Sequence, residues 1–472
     1  MSLLSKRKAK IVCTIGPASS SKEIISSLIK NGMDVARLNF SHGDHDFHKK
    51  AIKTIREVSK KYSKPVAILQ DLQGIKIRVG TFKSGEVELK KGRDLLLIPG
   101  DGVGDRERVF ISYPALLGDA KRGDRILLDD GLIQLHVIDR SRGGLITKVV
   151  EGGILKDRKG VNLPGIKVSV STFTEKDKKD LQFGITMNVD YVAISFVRQT
   201  DDIKIVKKWL KEKGKEIPII AKIEKPEALD NIEAILSEVD GIMVARGDLG
   251  VEVQTEEVPL IQKSLIDRAN KKGKIVITAT QMLESMTEHL RPTRAETTDV
   301  ANAVIDGTDA LMLSAETASG KYPIEAHMMM DRIIKHTELT QERKASYIRG
   351  NTFAEATADA ACRAAEDIQA KVIVAFTQSG FTARLLSKFR PKVPIIAYTP
   401  EEKTRNRMCL NWGVTPMIMK PPANIDGLIR EIERSLIGER IVKEGDGIVI
   451  TASSPFSTLV KTNFMKLHRI GE

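Results

Sequence analysis

Lys222 and Glu224 stand two residues apart in Ile220-Ala221-Lys222-Ile223-Glu224, a run apolar enough to be a buried strand. Side chains alternate across a strand, so this ammonium and this carboxylate point to the same side. A second carboxylate, Asp248, lies just beyond the next such run, in Arg246-Gly247-Asp248-Leu249-Gly250. If the two strands are neighbours, Glu224 and Asp248 meet. Two carboxylates completed by water and substrate oxygens suit Mg2+ or Mn2+, which seldom occupy all-protein cages. The glycines beside Asp248 let backbone N–H groups approach an anion, as helix N-termini do. A Glu224 that merely neutralised Lys222 would leave Asp248 without a role.

Comparable runs end in the same way. Arg37 with Asn39, then Asp71, Thr280, and Ser314 with Glu316 interrupt segments that should be apolar throughout if they are buried parallel strands. Together with Lys222, Glu224 and Asp248 they mark six of eight strand ends, which points to one shared polar pocket rather than to separate core hydrogen bonds.

The elements that must hold these residues alternate between short apolar strands and amphipathic helices. Three strands, Lys10–Ile15, Val35–Phe40 and Val66–Asp71, precede a break in the rhythm. From about Lys76 to Lys167 the chain is rich in glycine and β-branched residues, and Val87–Leu89, Asp94–Ile98, Ile126–Leu128 and Leu132–Ile138 read as antiparallel strands joined by turns. The alternation resumes with Tyr191–Val197, Ile217–Glu224, Ile242–Arg246, Ile275–Thr280 and Leu311–Glu316. Eight such units predict a closed (β/α)8 barrel, whose sites lie at the C-terminal ends of its strands. A doubly wound open sheet is the alternative on pattern alone. The predicted division is residues 1–75 and 168–345 for the barrel, 76–167 for an inserted β-barrel lid, and 346–472 for a C-terminal α/β regulatory domain. The last carries predicted strands at Val372–Phe376, Val393–Tyr398, Met417–Lys420 and Gly447–Ala452.

Composition narrows the function classes. The 472 residues carry a formal net charge of +13, but the lysines are dispersed among acids and aromatics make up only 4%. That argues against base-stacking surfaces and a nucleic-acid partner. No apolar run approaches the ~20 residues of a membrane span. Cys13, Cys362 and Cys409 are too few and too scattered for a disulfide framework, so a reducing cytoplasm is expected.

Several segments resemble those of the pyruvate kinase family, and in the family's order. They are Ile11–Pro17, Arg37-Leu38-Asn39-Phe40-Ser41-His42-Gly43, Val161–Gly165, Ile220–Glu227, Met243–Gly250, Ala279–Met286, Pro292–Glu296, Asp299–Val304 and Leu313–Thr317. The resemblance covers essentially the whole chain. It implies transfer of the phosphoryl group of phosphoenolpyruvate to ADP, giving ATP and pyruvate, with a divalent metal at Glu224 and Asp248. It further implies that Lys222 and Arg37 meet the phosphoryl groups, and that the N–H groups of Gly247 and Asp248, with Thr280, hold the substrate carboxylate. Ser314 and Glu316 then relay a proton. Asn39, Ser41, Asp71 and Leu72 form a monovalent-cation pocket. Asn39, His42, Arg78 and Lys159 face the nucleotide. Asp130 reaches the site when the lid closes, or else serves as a plain Asp-Gly turn. A homotetramer is the family's usual assembly. A metal-dependent barrel lyase or aldolase acting on enolates is the competing class, which Arg37 and the lid argue against.

Two departures from the family pattern carry expectations of their own. Lys76 in Asp71-Leu72-Gln73-Gly74-Ile75-Lys76-Ile77-Arg78 stands where many relatives have a glutamate that helps hold K+, which predicts that K+ is not required. Thr377-Gln378-Ser379-Gly380-Phe381-Thr382 matches the family's effector loop and predicts a phosphate cradle, with ordinary helix capping as the alternative. The second effector loop, glycine-rich in many relatives, reads Ser453–Thr458, which argues against activation by fructose 1,6-bisphosphate. A nucleotide or sugar monophosphate effector, or none, is expected instead.

Overall fold

The computed structural model describes residues 7–141, 143–166, 168–340, 352–421, 424–453 and 462–472. Eight all-parallel strands close into a barrel: β1 (Lys10–Thr14), β2 (Val35–Asn39), β3 (Ala67–Asp71), β4 (Tyr191–Ile194), β5 (Ile219–Ile223), β6 (Gly241–Ala245), β7 (Ile275–Ala279) and β8 (Ala310–Leu313). The spatial order is β1-β8-β7-β6-β5-β4-β3-β2, and Lys10 opposite Ala310 closes the ring. β5 and β6 are neighbours, with Lys222 opposite Met243, so the juxtaposition inferred from sequence holds. Each strand is buried along nearly its whole length, because helices cover the outside and side chains fill the inside. Val12, Leu69, Ala193, Ile220, Met243, Ile277 and Met312 belong to one buried cluster, which Cys409 and Leu410 of the C-terminal part join.

The strands end where polar chemistry begins. The fourth stops at Ile194 rather than Val197, because Phe196 adopts φ 56°, a left-handed conformation that a strand cannot carry. Arg246–Glu252, which carries the glycines that flank Asp248, is a short helix. Its neighbour Arg294–Asp306 starts with a capping box of Thr293 and Glu296. The same Glu296 carboxylate accepts from Ser285 N–H (2.7 Å) and Ser285 Oγ (2.5 Å), tying down the turn that follows β7.

Between β3 and the helix Glu175–Thr186 the inserted strands form one six-stranded sheet and two two-stranded ribbons, where a single β-barrel was expected. The sheet is mixed rather than antiparallel, since Asp94–Pro99 pairs in parallel with Arg108–Ile111. Its apolar core, with Leu97, Ile126, Leu128 and Leu135, is separate from that of the barrel.

The C-terminal sheet has five strands, β9 (Val372–Phe376), β10 (Ile395–Thr399), β11 (Val414–Ile418), β12 (Gly447–Ala452) and β13 (Phe464–Arg469), in the order β11-β10-β9-β12-β13. β11 lies upstream of the expected Met417–Lys420. β13, the antiparallel edge, has no counterpart in the sequence reading. This sheet and its helices attach to the barrel's bottom through buried polar contacts. Lys388 and Arg390 (2.7 Å) both pair with Asp309, which also accepts from Val276 N–H at 2.8 Å. Lys10 Nζ donates to Val414 O at 2.8 Å, and Tyr191 OH to Arg407 O at 2.8 Å.

Candidate active site

Lys222 is the hub of the polar cluster at the C-terminal rim of the barrel. Its Nζ lies 2.8 Å from Glu224 Oε1 and 3.5 Å from Asp71 Oδ1, and it donates to Ser195 Oγ at 2.8 Å. Burial opposes its charge, but Asp71, Glu224 and Asp248 outweigh that, so its pKa is raised and the ammonium is retained. Arg37 holds the other face of Asp71 through Nε (2.8 Å) and Nη2 (2.7 Å), and its Nη1 donates to Thr14 Oγ1 at 2.9 Å. Asp71 is thus a shared counter-charge for two cations, more than the monovalent-cation ligand expected from sequence. Asp71 Oδ1 has no hydrogen-bond partner among the described residues.

Glu224 is 1% exposed. Its Oε2 accepts from Phe196 N–H at 2.7 Å, while Oε1 faces Lys222 and accepts no other bond among the described residues. Asp248 is exposed in the first turn of the helix Arg246–Glu252, within electrostatic reach of both Glu224 and Lys222. Among the described residues no three His, Cys, Asp or Glu side chains gather as a metal cage. Two carboxylates with an under-bonded oxygen are the donor set that suits a hard divalent ion keeping water and substrate ligands.

Thr280 sits at φ 66°, rare for a β-branched residue and costing about 1–3 kcal/mol. Arg246 maintains the strained turn by donating to Thr280 O (2.6 Å) and Gln281 O (3.2 Å), and Asp299 fixes the same guanidinium at 2.6 and 2.7 Å. The result is that Thr280 Oγ1 faces Gly247, whose N–H donates to it at 2.8 Å. Across the rim, Glu316 Oε2 accepts from Ser314 N–H (2.6 Å) and Oε1 from Leu283 N–H (3.0 Å). Burial nevertheless raises the Glu316 pKa. The buried Ser314 Oγ has no partner among the described residues.

A band of positive charge borders this cluster. His42 is exposed, and its pKa is lowered by partial burial and then by Lys76, Arg78 and Arg37. Lys76 lines a cleft with Asp130, Phe196 and Asp248, and its pKa is lowered by partial burial, Arg78 and Lys222. Arg78 Nη1 donates to Arg158 O at 2.6 Å, and Lys159 pairs with Asp129 at 2.8 Å, so Lys159 is engaged within the lid. Asn39 Oδ1 accepts from Ser41 N–H at 3.1 Å, Leu72 is buried, and Ser41 is half-buried at the same loop. Asp129 (φ 51°) and Asp130 (φ 54°) are both left-handed, and Asp130 lines the same cleft as Lys76 and Asp248.

Thr377–Thr382 leads into the helix Phe381–Lys388 of the C-terminal part. Thr377 Oγ1 accepts from Gly380 N–H (3.0 Å), Ser379 Oγ from Phe381 N–H (3.4 Å), and Thr382 Oγ1 pairs with Thr462 Oγ1 (2.7 Å). Gln378 O accepts from Thr404 Oγ1 at 3.0 Å. Of the second loop, Ser454–Thr458 lies outside the described residues.

Sequence reasoning missed Ser195, Thr14 and a second ion pair. Glu252 Oε1 accepts from Lys225 Nζ at 2.6 Å and from Asn162 Nδ2 at 2.9 Å, joining lid to barrel. Ser195 and Thr14 were legible as hydroxyls at strand ends. The Asn162–Glu252 contact spans 90 positions and left no local signal.

Fold and site define a (β/α)8-barrel enzyme with a lysine–carboxylate cluster under an inserted lid. A family model for the pyruvate kinase barrel domain matches residues 6–327, and one for the pyruvate kinase alpha/beta domain matches 355–468. The chain is 47% identical to the pyruvate kinase of Staphylococcus saprophyticus over 99% of this chain and 81% of that one. It is 46% identical to that of Geobacillus stearothermophilus over the same shares. The crystal structure of a pyruvate kinase from Cryptosporidium parvum superimposes with a TM-score of 0.92 at 37% identity, covering 98% of this chain and 96% of that one. The chain belongs to the pyruvate kinase family.

Proposed function

We propose that the rim cluster transfers the phosphoryl group of phosphoenolpyruvate to ADP, with the roles below. The observation that carries this reading is Lys222, held charged between Asp71 and Glu224 beside Asp248. The bond between phosphorus and the enol oxygen breaks, a bond to a β-phosphate oxygen of ADP forms, and the enolate left behind takes a proton at its methylene carbon. Lys222 and Arg37 meet the charge spread over the transferring group, the main task in phosphoryl transfer. Glu224 and Asp248 hold Mg2+ or Mn2+, which when bound supplies Lewis-acid stabilisation of the oxygens that gain charge. Gly247 and Asp248 N–H groups, with Thr280 Oγ1, hold the substrate carboxylate. Ser314, whose hydroxyl lacks a protein partner, and Glu316, whose pKa burial raises, relay the proton.

His42, Arg78 and Asn39 face the nucleotide, and Lys159 joins them once released from Asp129. Asp130 closes over the cleft with the lid. Asn39, Ser41, Asp71 and Leu72 form the cation pocket, and Lys76 supplies its charge, so K+ is not needed. The electrostatic contact of Lys76 with Asp248 supports this. Like charges a few ångströms apart cost ~1–4 kcal/mol, which disfavours a second cation there. Thr377–Thr382 is the effector cradle. The protein works as a homotetramer in the cytoplasm; no helix among the described residues is long and apolar enough to cross a membrane. The deciding experiment is ATP formation from ADP and phosphoenolpyruvate with Mg2+ present. Absence of ATP refutes the reading.

A further inference from the structure

The helix Arg246–Glu252 carries two carboxylates one turn apart. Asp248 lies in its first turn and Glu252 is its last residue. Residues four apart on a helix share a face, so the two point to one side. Facing them are Glu224 and Lys225, consecutive residues leaving β5. Glu224 is in electrostatic contact with Asp248. Lys225 Nζ meets Glu252 Oε1 at 2.6 Å, in a pair whose side chains are only 13% and 1% exposed. The same two segments are therefore joined at two levels, one by the metal carboxylates and the other by a buried ion pair.

The lid touches the second level. Asn162 Nδ2 donates to the same Glu252 Oε1 at 2.9 Å, and the strand Val161–Asn162 pairs with Leu128 and Leu127, next to Asp129 and Asp130. A Cβ on Gly131 would lie 3.6 Å from Val251 Cγ1, so the turn that carries Asp130 also rests near the end of this helix. Glu252 Oε2 is buried and has no hydrogen-bond partner among the described residues, so Lys225 and Asn162 share the one bonded oxygen. A pair that served stability alone would have no need to lie between both metal-bearing segments and receive the lid as well.

We propose that Glu252 is a positioning residue for the metal centre. Through Lys225 it fixes the spacing of the segments that carry Glu224 and Asp248, and through Asn162 it ties that spacing to the position of the lid. The inference rests on the reading of Glu224 and Asp248 as the metal ligands. Groups that orient ligands from behind tune metal affinity without touching the ion. Linkage makes the effect reciprocal: if lid position changes metal affinity, bound metal changes lid position.

The test uses the full-length chain with Mn2+ and no substrate, so nothing in it depends on turnover. Mn2+ binding is followed by the paramagnetic resonance of the free ion, and lid position by hydrogen exchange in the Asp129–Leu132 turn. Lys225→Met is expected to weaken Mn2+ binding by about tenfold, and Lys225→Arg, which keeps the charge, to hold it within about twofold of the unmodified enzyme. Lys225→Met combined with Glu252→Gln leaves no buried charge unpaired, so it serves if the single variant folds poorly, and the same weakening is expected of it. Bound Mn2+ is expected to slow exchange in the turn by about fivefold in the unmodified enzyme. No such slowing is expected in Asn162→Ala, which retains the backbone pairing with Leu127. Mn2+ held normally by both Lys225→Met variants overturns the inference. So does a lid response that persists in Asn162→Ala or is missing from the unmodified enzyme. Glu224→Gln separates this inference from the ligand reading. Unchanged Mn2+ binding in Glu224→Gln removes the ligand reading and this inference with it, whereas Mn2+ lost there but held normally by the Lys225→Met variants overturns this inference alone.

Discussion

At the scale of single residues, the site is organised by charge compensation around Lys222. Lys222→Met should lower ATP formation by ~10²–10³ or more, because one preorganised electrostatic contact to the transferring group is lost. Proton exchange at the methyl carbon of pyruvate should persist, since Ser314 and Glu316 stand apart from Lys222. Loss of both activities in a folded variant would contradict that division. Glu224→Gln should cut turnover by orders of magnitude and raise the Mg2+ concentration required, because a single protein carboxylate holds Mg2+ weakly. Near-normal activity at limiting Mg2+ would mean that the ligand lies elsewhere. For Lys76, the measurement is activity with tetramethylammonium replacing K+ at matched ionic strength. The unmodified enzyme should be indifferent, and Lys76→Glu should become K+-dependent. A large K+ stimulation of the unmodified enzyme would refute the charge-replacement role. These residues were legible in the sequence because a charge at the end of an otherwise apolar run has few structural reasons to be there. The turn at Thr280 was not, because its φ of 66° depends on Arg246 and Asp299, which only the folded chain brings together.

At the scale of elements, the barrel strands matched their sequence signals to within two or three residues, since burial on both faces leaves a continuous apolar run. The lid was legible as a β insertion but not as a mixed sheet, because pairing direction depends on partners outside the local sequence. β13 was missed because an edge strand with alternate residues half-exposed carries little apolar signal. The attachment of the C-terminal part to the barrel was equally invisible, since Lys388 and Asp309 lie 79 positions apart. Their pair is almost fully buried, at 2% and 1% side-chain exposure, and Arg390 completes it. Burial lowers the Lys388 pKa to about 8 despite Asp309. Asp309→Asn should leave two buried cations without a counter-charge and cost about 3–5 kcal/mol. Thermal unfolding followed separately for the barrel and the C-terminal part should show the seam loosening first. An unchanged profile would mean that the pair contributes nothing to docking.

At the scale of the whole molecule, stability should depend on pH through a histidine far from the active site. His327 is fully buried, neither ring nitrogen has a partner among the described residues, and burial, with Arg7 next, lowers its pKa to about 4. The unfolded chain takes up this proton near pH 6.5, so folding stability is complete above that value and falls as pH drops toward 4. The loss from this group amounts to about 3 kcal/mol. His327→Leu should flatten the difference in unfolding free energy between pH 7 and pH 4 by that amount. An equally steep dependence in the variant would assign the effect to other groups.

The closure of the barrel has a consequence for how the protein is made. β1 cannot acquire its second neighbour until β8 exists, and Thr14 and Leu313, which bond across that join, are 299 positions apart. At ~5–20 residues per second, the ribosome needs roughly 15–60 s to deliver the missing strand. Throughout that interval the first strand has one edge unpaired, while the lid, whose last strand ends at residue 162 and whose apolar core is closed by Leu163 and Ile166, can already be folded. The nascent chain is therefore a substrate for strand-capturing chaperones in proportion to its synthesis time. Slowing translation between residues 162 and 310 should raise its aggregation more than slowing the last hundred or so codons.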